Sequence, residues 1–142
     1  MSSALRVYIV EDSPIIQRLL GSAIEEAGGE VSGCSDDVQQ AIADVFALQP
    51  DLIVIDIALP AGTGFDVLKS LHEHDLAAGV TKIVLTNHAN EECEALARRL
   101  GADRFFDKSL ESAQALAFIA AKAAERRGRG AAHVDSSEPS LP

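Results

Sequence analysis

The stretch Leu52-Ile53-Val54-Ile55-Asp56 decides how the rest of the chain is read. Four aliphatic residues in a row leave no polar face, the pattern of a strand covered on both sides, and the run stops at a carboxylate. Working outward, comparable short runs fall at residues 5–10, 30–35, 82–86 and 104–106. With residues 52–56 they make five expected strands.

Segments of helical period lie between the strands. Ile15, Ile16, Leu19, Leu20, Ala23, Ile24 and Ala27 follow Ser13, a fitting N-cap, and Pro14, a residue suited to the first helical position. Gly28 and Gly29 then end the helix. Further stripes are Val38, Ala41, Ile42 and Val45; Val67, Leu68 and Leu71; Cys93, Leu96, Ala97 and Leu100; and Ala113, Leu116, Ala117, Ala120 and Ala124. Strand and helix alternate five times, which predicts a doubly wound α/β fold. A parallel five-stranded sheet would lie between two layers of helices, a flavodoxin-like (βα)5 three-layer sandwich of order 2-1-3-4-5.

The chain has 142 residues, enough for one domain with a real core, and its near lack of aromatic residues points to an aliphatic interior. The domain is expected over residues 1–126. Residues 127–142 turn to Gly, Arg, Ser and Pro and read as a disordered tail. The net charge of −10 argues against direct binding to nucleic acid or anionic membranes and favours hard divalent cations. No apolar run is long enough to span a bilayer, and residues 1–4 lead straight into a strand with no signal-peptide core, so a soluble cytoplasmic protein is expected. Cys34 and Cys93 show no ligand or redox spacing and read as buried or half-buried free thiols.

In a fold of this order, the carboxyl ends of the first and third strands are neighbours, so Glu11, Asp12 and Asp56 converge. Two carboxylates about 5 Å apart repel by roughly 3 kcal/mol at an effective dielectric near 20. Three of them call for a cation or a proton; a metal is the economical choice, and an all-oxygen set suits Mg2+. Thr86 ends the fourth strand and Lys108 follows the fifth. Asp56 would act as nucleophile toward a phosphoryl group, with Lys108 and the Thr86 hydroxyl contacting the product. Taken singly, each has a bland reading: Glu11-Asp12 as a helix-capping turn, Asp56 as a loop cap, Thr86 as an ordinary strand residue. Pro60-Ala61-Gly62-Thr63-Gly64 is a turn signal, and His72, His74, His88 and His133 are best read as uninvolved.

Glu11-Asp12, Asp56 with Leu59-Pro60 and Gly64, Leu85-Thr86 and Asp107-Lys108 together resemble the receiver domain of two-component response regulators, over about residues 4 to 126. The resemblance implies phosphoryl transfer from a sensor histidine kinase or histidine phosphotransfer protein to Asp56. It implies the backbone carbonyl of Ala58 as a further metal ligand, and Thr86 and Phe105 as switch residues. It also implies signalling to a protein target through the face made by the fourth helix, fifth strand and fifth helix. Such a chain is not an enzyme acting on a separate substrate, but a phosphoacceptor that assists its own phosphorylation and dephosphorylation. With no output domain following, a stand-alone regulator or phosphorelay intermediate is expected.

Two positions depart from the family pattern. Ser109 stands where many receivers have Pro, removing the residue that favours a cis bond there, and Asn87 stands where a small residue is preferred. Asn87 is expected to narrow access to Asp56. Phe118 is expected either in the core or as an exposed anchor for a homodimer or partner. The competing functions are a flavin carrier, which lacks its phosphate cradle here; a small-molecule phosphatase, which lacks an acid at Ala58; and a degenerate receiver serving only as a binding module.

Overall fold

The computed structural model describes residues 4–74 and 79–137, the stretch from 129 onward by its backbone alone. Strands β1 (Leu5–Val10), β2 (Gly29–Ser35), β3 (Leu52–Ile55), β4 (Thr81–Thr86) and β5 (Arg104–Asp107) alternate with five helices. These are α1 (Pro14–Glu26), α2 (Val38–Leu48), α3 (Gly64–Glu73), α4 (Glu91–Arg99) and α5 (Ser112–Ser137). The strands form one parallel sheet of order β2-β1-β3-β4-β5, as the alternation predicts.

The unbroken apolar runs have a simple cause. Successive strand side chains point to opposite faces, and both faces are covered. Tyr8, Val10, Ile53, Ile55 and Val84 enter a core shared with Val45, Leu68 and Ala97 from α2, α3 and α4. Val7, Ile9, Leu52, Val54, Ile83 and Leu85 enter a second core against Leu20 and Ile24 of α1 and Ile119 of α5. Edge strand β2 is only half-buried, which matches its Gly- and Ser-rich sequence.

Helix α1 begins as its sequence says, with Pro14 at the start and Ser13 Oγ accepting from Ile16 N at 3.3 Å. Its apolar stripe is wider than the face it buries. Leu20 and Ile24 are buried, while Ile15 and Leu19 stand 65% and 62% exposed.

Helix α5 is rotated from the expected stripe: Ala115, Ile119 and Ala123 are buried, and Ala113, Ala117 and Ala124 are exposed. An alanine-rich helix offers little contrast between faces, so the larger Ile119 sets which side docks. Its path also continues beyond the compositional boundary at residue 126 to Ser137, through Gly128 and Gly130, each costing about 1 kcal/mol relative to Ala. Residues 138–142 of the expected tail lie outside the described residues.

From α5, Arg126 Nη1 reaches Asp51 Oδ1 at the foot of β3, 2.7 Å away. Phe118 is half-buried against Phe106, with ring centroids 6.3 Å apart, and the Arg104 guanidinium lies within about 5 Å of both rings. Cys93 is half-buried as expected, whereas Cys34 is exposed. Edge strand β2 has a neighbour on one side only, which leaves Cys34 less covered than a central-strand residue, and its thiol donates to Gln17 Oε1 of α1 at 3.6 Å.

The chain leaves β1 toward β2 on one side and β3 toward β4 on the other. That reversal opens a crevice beyond the carboxyl ends of β1 and β3, where Glu11 and Asp56 follow their strands.

Candidate functional site

Backbone ladders continue past the strand ends and hold the acidic residues in place. Glu11 N donates to Ser35 O at 3.0 Å, and Asp56 N donates to Val10 O at 2.9 Å. Lys108 reaches the same point from β5, where its N–H donates to Thr86 O at 2.8 Å. Glu11, Asp12, Asp56, Ala58, Asn87, His88 and Lys108 line a recess of about 250 Å3, completed by Ser13 and Ile16.

At its centre the Lys108 ammonium contacts two carboxylates at once, Glu11 Oε1 and Asp56 Oδ2, each at 2.8 Å. Both acids are buried, Glu11 at 2% exposure and Asp56 at 6%, while Asp12 is exposed at the rim. Their remaining oxygens are also engaged. Glu11 Oε2 accepts from Ser13 N at 3.0 Å, and Asp56 Oδ1 accepts from Ala58 N at 3.2 Å.

Burial raises the Glu11 carboxyl above its ordinary value, although Lys108 and the Ser13 N–H pull the other way. For Lys108, burial favours the neutral amine, but the hydrogen bonds and charges of Asp56 and Glu11 together outweigh it. The net effect is a raised value and a secure ammonium.

One oxygen each from Glu11, Asp12 and Asp56 lies within 4.8 Å of the others. Three carboxylates against the one Lys108 ammonium leave a formal excess of two negative charges, which a divalent cation would cancel. The all-oxygen donor set therefore fits the Mg2+ expected from the sequence.

Thr86 and Phe105 are placed differently from the recess residues. The Thr86 side chain is fully buried, is not among the residues lining the recess, and its Oγ1 accepts from His88 N at 3.1 Å. Phe105 is turned inward, 9% exposed, in the core that holds Val84 and Ala97.

Several supporting contacts escape sequence reasoning. Gly64 lies against the strand end that carries Asp56: a Cβ there would stand 2.4 Å from Asp56 O and 2.8 Å from Ile55 Cγ2. Gln17 Nε2 donates to Glu11 O at 2.6 Å and braces the acidic turn from α1. Ser109 Oγ donates to Asn87 Oδ1 at 3.0 Å, joining the two departures from the family pattern. The glycine's presence in a turn motif was a partial signal, but a pairing between residues 22 positions apart has none.

Residues 7–120 match the family model described as the response regulator receiver domain. The chain is 34% identical over 109 residues to protein-glutamate methylesterase/protein-glutamine glutaminase 2 of Vibrio vulnificus, covering 76% of this chain and 31% of that protein. It is 32% identical over 117 residues to the DNA-binding dual master transcriptional regulator RpaA of Synechocystis, covering 82% of this chain and 48% of that protein. The chain thus spans less than half the length of these two relatives. Among solved structures it resembles a CheY-like response regulator receiver domain protein from Methanospirillum hungatei. The TM-score is 0.76 at 26% identity, covering 89% of this chain and 98% of the other.

Proposed function

The chain belongs to the response regulator receiver family, and from that premise we propose that it is a phosphoacceptor switch of a two-component or phosphorelay system. Asp56 receives the phosphoryl group from a phosphohistidine on a sensor histidine kinase or a histidine phosphotransfer protein. In this step the donor P–N bond breaks, a P–O bond forms to the Asp56 carboxylate, and the imidazole leaves. The observation that carries the reading is the double contact of the Lys108 ammonium with Asp56 and Glu11 at 2.8 Å, beside a third carboxylate, Asp12.

Each residue has a share of the work. Lys108 stays protonated and can move from a carboxylate oxygen to an oxygen of the arriving phosphoryl group. Glu11, Asp12, Asp56 and the Ala58 carbonyl would hold Mg2+, which neutralises charge on the transferred group. The Thr86 hydroxyl, whose oxygen accepts from His88 N, keeps its own proton to donate. Its reorientation toward the new acyl phosphate, with Phe105 following, would change the surface of α4, β5 and α5 that a protein target reads. The free thiols Cys34 and Cys93 suit the reducing cytoplasm in which such a relay would operate.

The test is intact-mass measurement after incubation with an acyl phosphate and Mg2+. Wild type should gain one phosphoryl group and Asp56→Asn none. A wild type that gains nothing under these conditions would instead support a phosphorylation-independent binding module.

A further inference from the structure

The two departures from the family pattern touch each other. Asn87 lies in the β4–α4 loop and Ser109 in the β5–α5 loop, and Ser109 Oγ donates to Asn87 Oδ1 at 3.0 Å. Asn87 lines the recess that holds Asp56, whereas Ser109 stands outside it.

Each loop is also held by contacts of its own. On one side His88 N donates to Thr86 Oγ1, and Asn90 Oδ1 accepts from Cys93 N at 2.8 Å to cap α4. On the other, Ser109 N donates to Asp107 Oδ1 at 2.8 Å, and Ser112 Oγ donates to Lys108 O at 2.6 Å. A proline at position 109 would have no N–H for the first of these. The side-chain bond between Asn87 and Ser109 is therefore not needed to build either loop. What it does is fix the rotamer of a side chain on the wall of a small recess.

We propose that Asn87 and Ser109 form a latch at one side of the mouth of the recess that sets how fast small phosphodonors and water reach Asp56. This deepens the phosphoacceptor reading and rests on it. With the bond in place, Asn87 is a fixed wall beside Asp56. With it broken, the exposed amide rotates freely and the mouth is open for part of the time. Both reactions through that mouth are affected. An acyl phosphate donor transfers its phosphoryl group to the Asp56 carboxylate and leaves as a carboxylate. In hydrolysis, water oxygen bonds to phosphorus, the aspartyl P–O bond breaks, and inorganic phosphate departs with the water's proton.

The experiment uses the full chain with Mg2+ and acetyl phosphate, following the rate of phosphoryl gain by intact mass and the rate of its loss after the donor is removed. Ser109→Ala should speed both rates about threefold, the factor carried by one weak neutral hydrogen bond. Asn87→Ala should speed them at least as much, because it removes the wall itself. The double variant should be no faster than Asn87→Ala, since Ser109 then has nothing to hold, and Ser109→Thr, which keeps the hydroxyl, should stay near wild type. Circular dichroism melts confirm that all four variants are folded.

Phosphorylated wild type together with an unchanged Ser109→Ala, or with multiplicative effects in the double variant, overturns the latch alone. Absence of phosphoryl gain in every protein overturns the phosphoacceptor reading and the latch with it.

Discussion

Lys108 Nζ lies 2.8 Å from Asp56 Oδ2, although 52 positions of sequence separate the two residues. The same ammonium is 2.8 Å from Glu11 Oε1, so one cation holds two buried acids together. Removing it leaves those carboxylates without a counter-charge in a site that water reaches poorly. Lys108→Met should lower stability by about 3 kcal/mol in the presence of a chelator, as broken buried pairs do. Mg2+ should restore more stability to the variant than it adds to wild type, because the cation takes over the neutralising role. Urea midpoints with and without Mg2+ measure both effects, and an unchanged midpoint in chelator would contradict the pairing.

Gly64 tests how closely the backbone supports Asp56. A methyl group there would sit 2.4 Å from Asp56 O, a contact that neither backbone can accept without moving. Gly64→Ala should cost about 2 kcal/mol and slow phosphorylation of Asp56, as overpacking displaces the end of β3. A thermal melt and the phosphorylation rate measured on the same sample check the two halves. Normal values for both would mean that the turn yields easily.

Tyr8 offers a pH test at a residue outside the acidic recess. Its hydroxyl donates to Asp44 Oδ2 at 2.5 Å, and it is the only tyrosine in a chain without tryptophan. Burial first, then the hydrogen bond and charge of Asp44, raise the phenol above its ordinary value of 10.0. Because the folded value is the higher one, this contribution to stability is complete below the unfolded value. It is lost as pH rises toward the folded value, since the unfolded chain gives up the proton first.

Tyr8→Phe should therefore be less stable than wild type by about 1 kcal/mol at neutral pH. The gap should narrow between about pH 9 and 12. Comparing the two proteins separates Tyr8 from Lys108, whose raised value acts in the same direction. Urea unfolding across that range, with tyrosinate absorbance as a second signal, would show the convergence; parallel curves would rule it out.

Much of the architecture was legible because it rests on local rules. A short, β-branched apolar run such as Leu52-Ile53-Val54-Ile55 suits a strand covered on both faces, and Ser13-Pro14 supplies an N-cap and a first helical residue from local chemistry. Helical phase was less legible where the contrast was weak. In α5, alanines surround the axis and only packing selects the face of Ala115, Ile119 and Ala123. In α1, Ile15 and Leu19 look as apolar as Leu20 and Ile24 but find no partner in the core.

By itself the sequence determined the alternation of strands and helices and put Glu11, Asp12, Asp56, Thr86 and Lys108 at or just beyond the carboxyl ends of strands. Those are consequences of side-chain chemistry acting over a few residues. Only the tertiary structure decided that Lys108 bridges Asp56 and Glu11, that Thr86 is buried away from the recess, that Gly64 backs Asp56, and that Ser109 reaches Asn87. Each of these depends on ångström-scale distances between segments remote in the chain, which the packing of helices on a twisted sheet sets and no local pattern records.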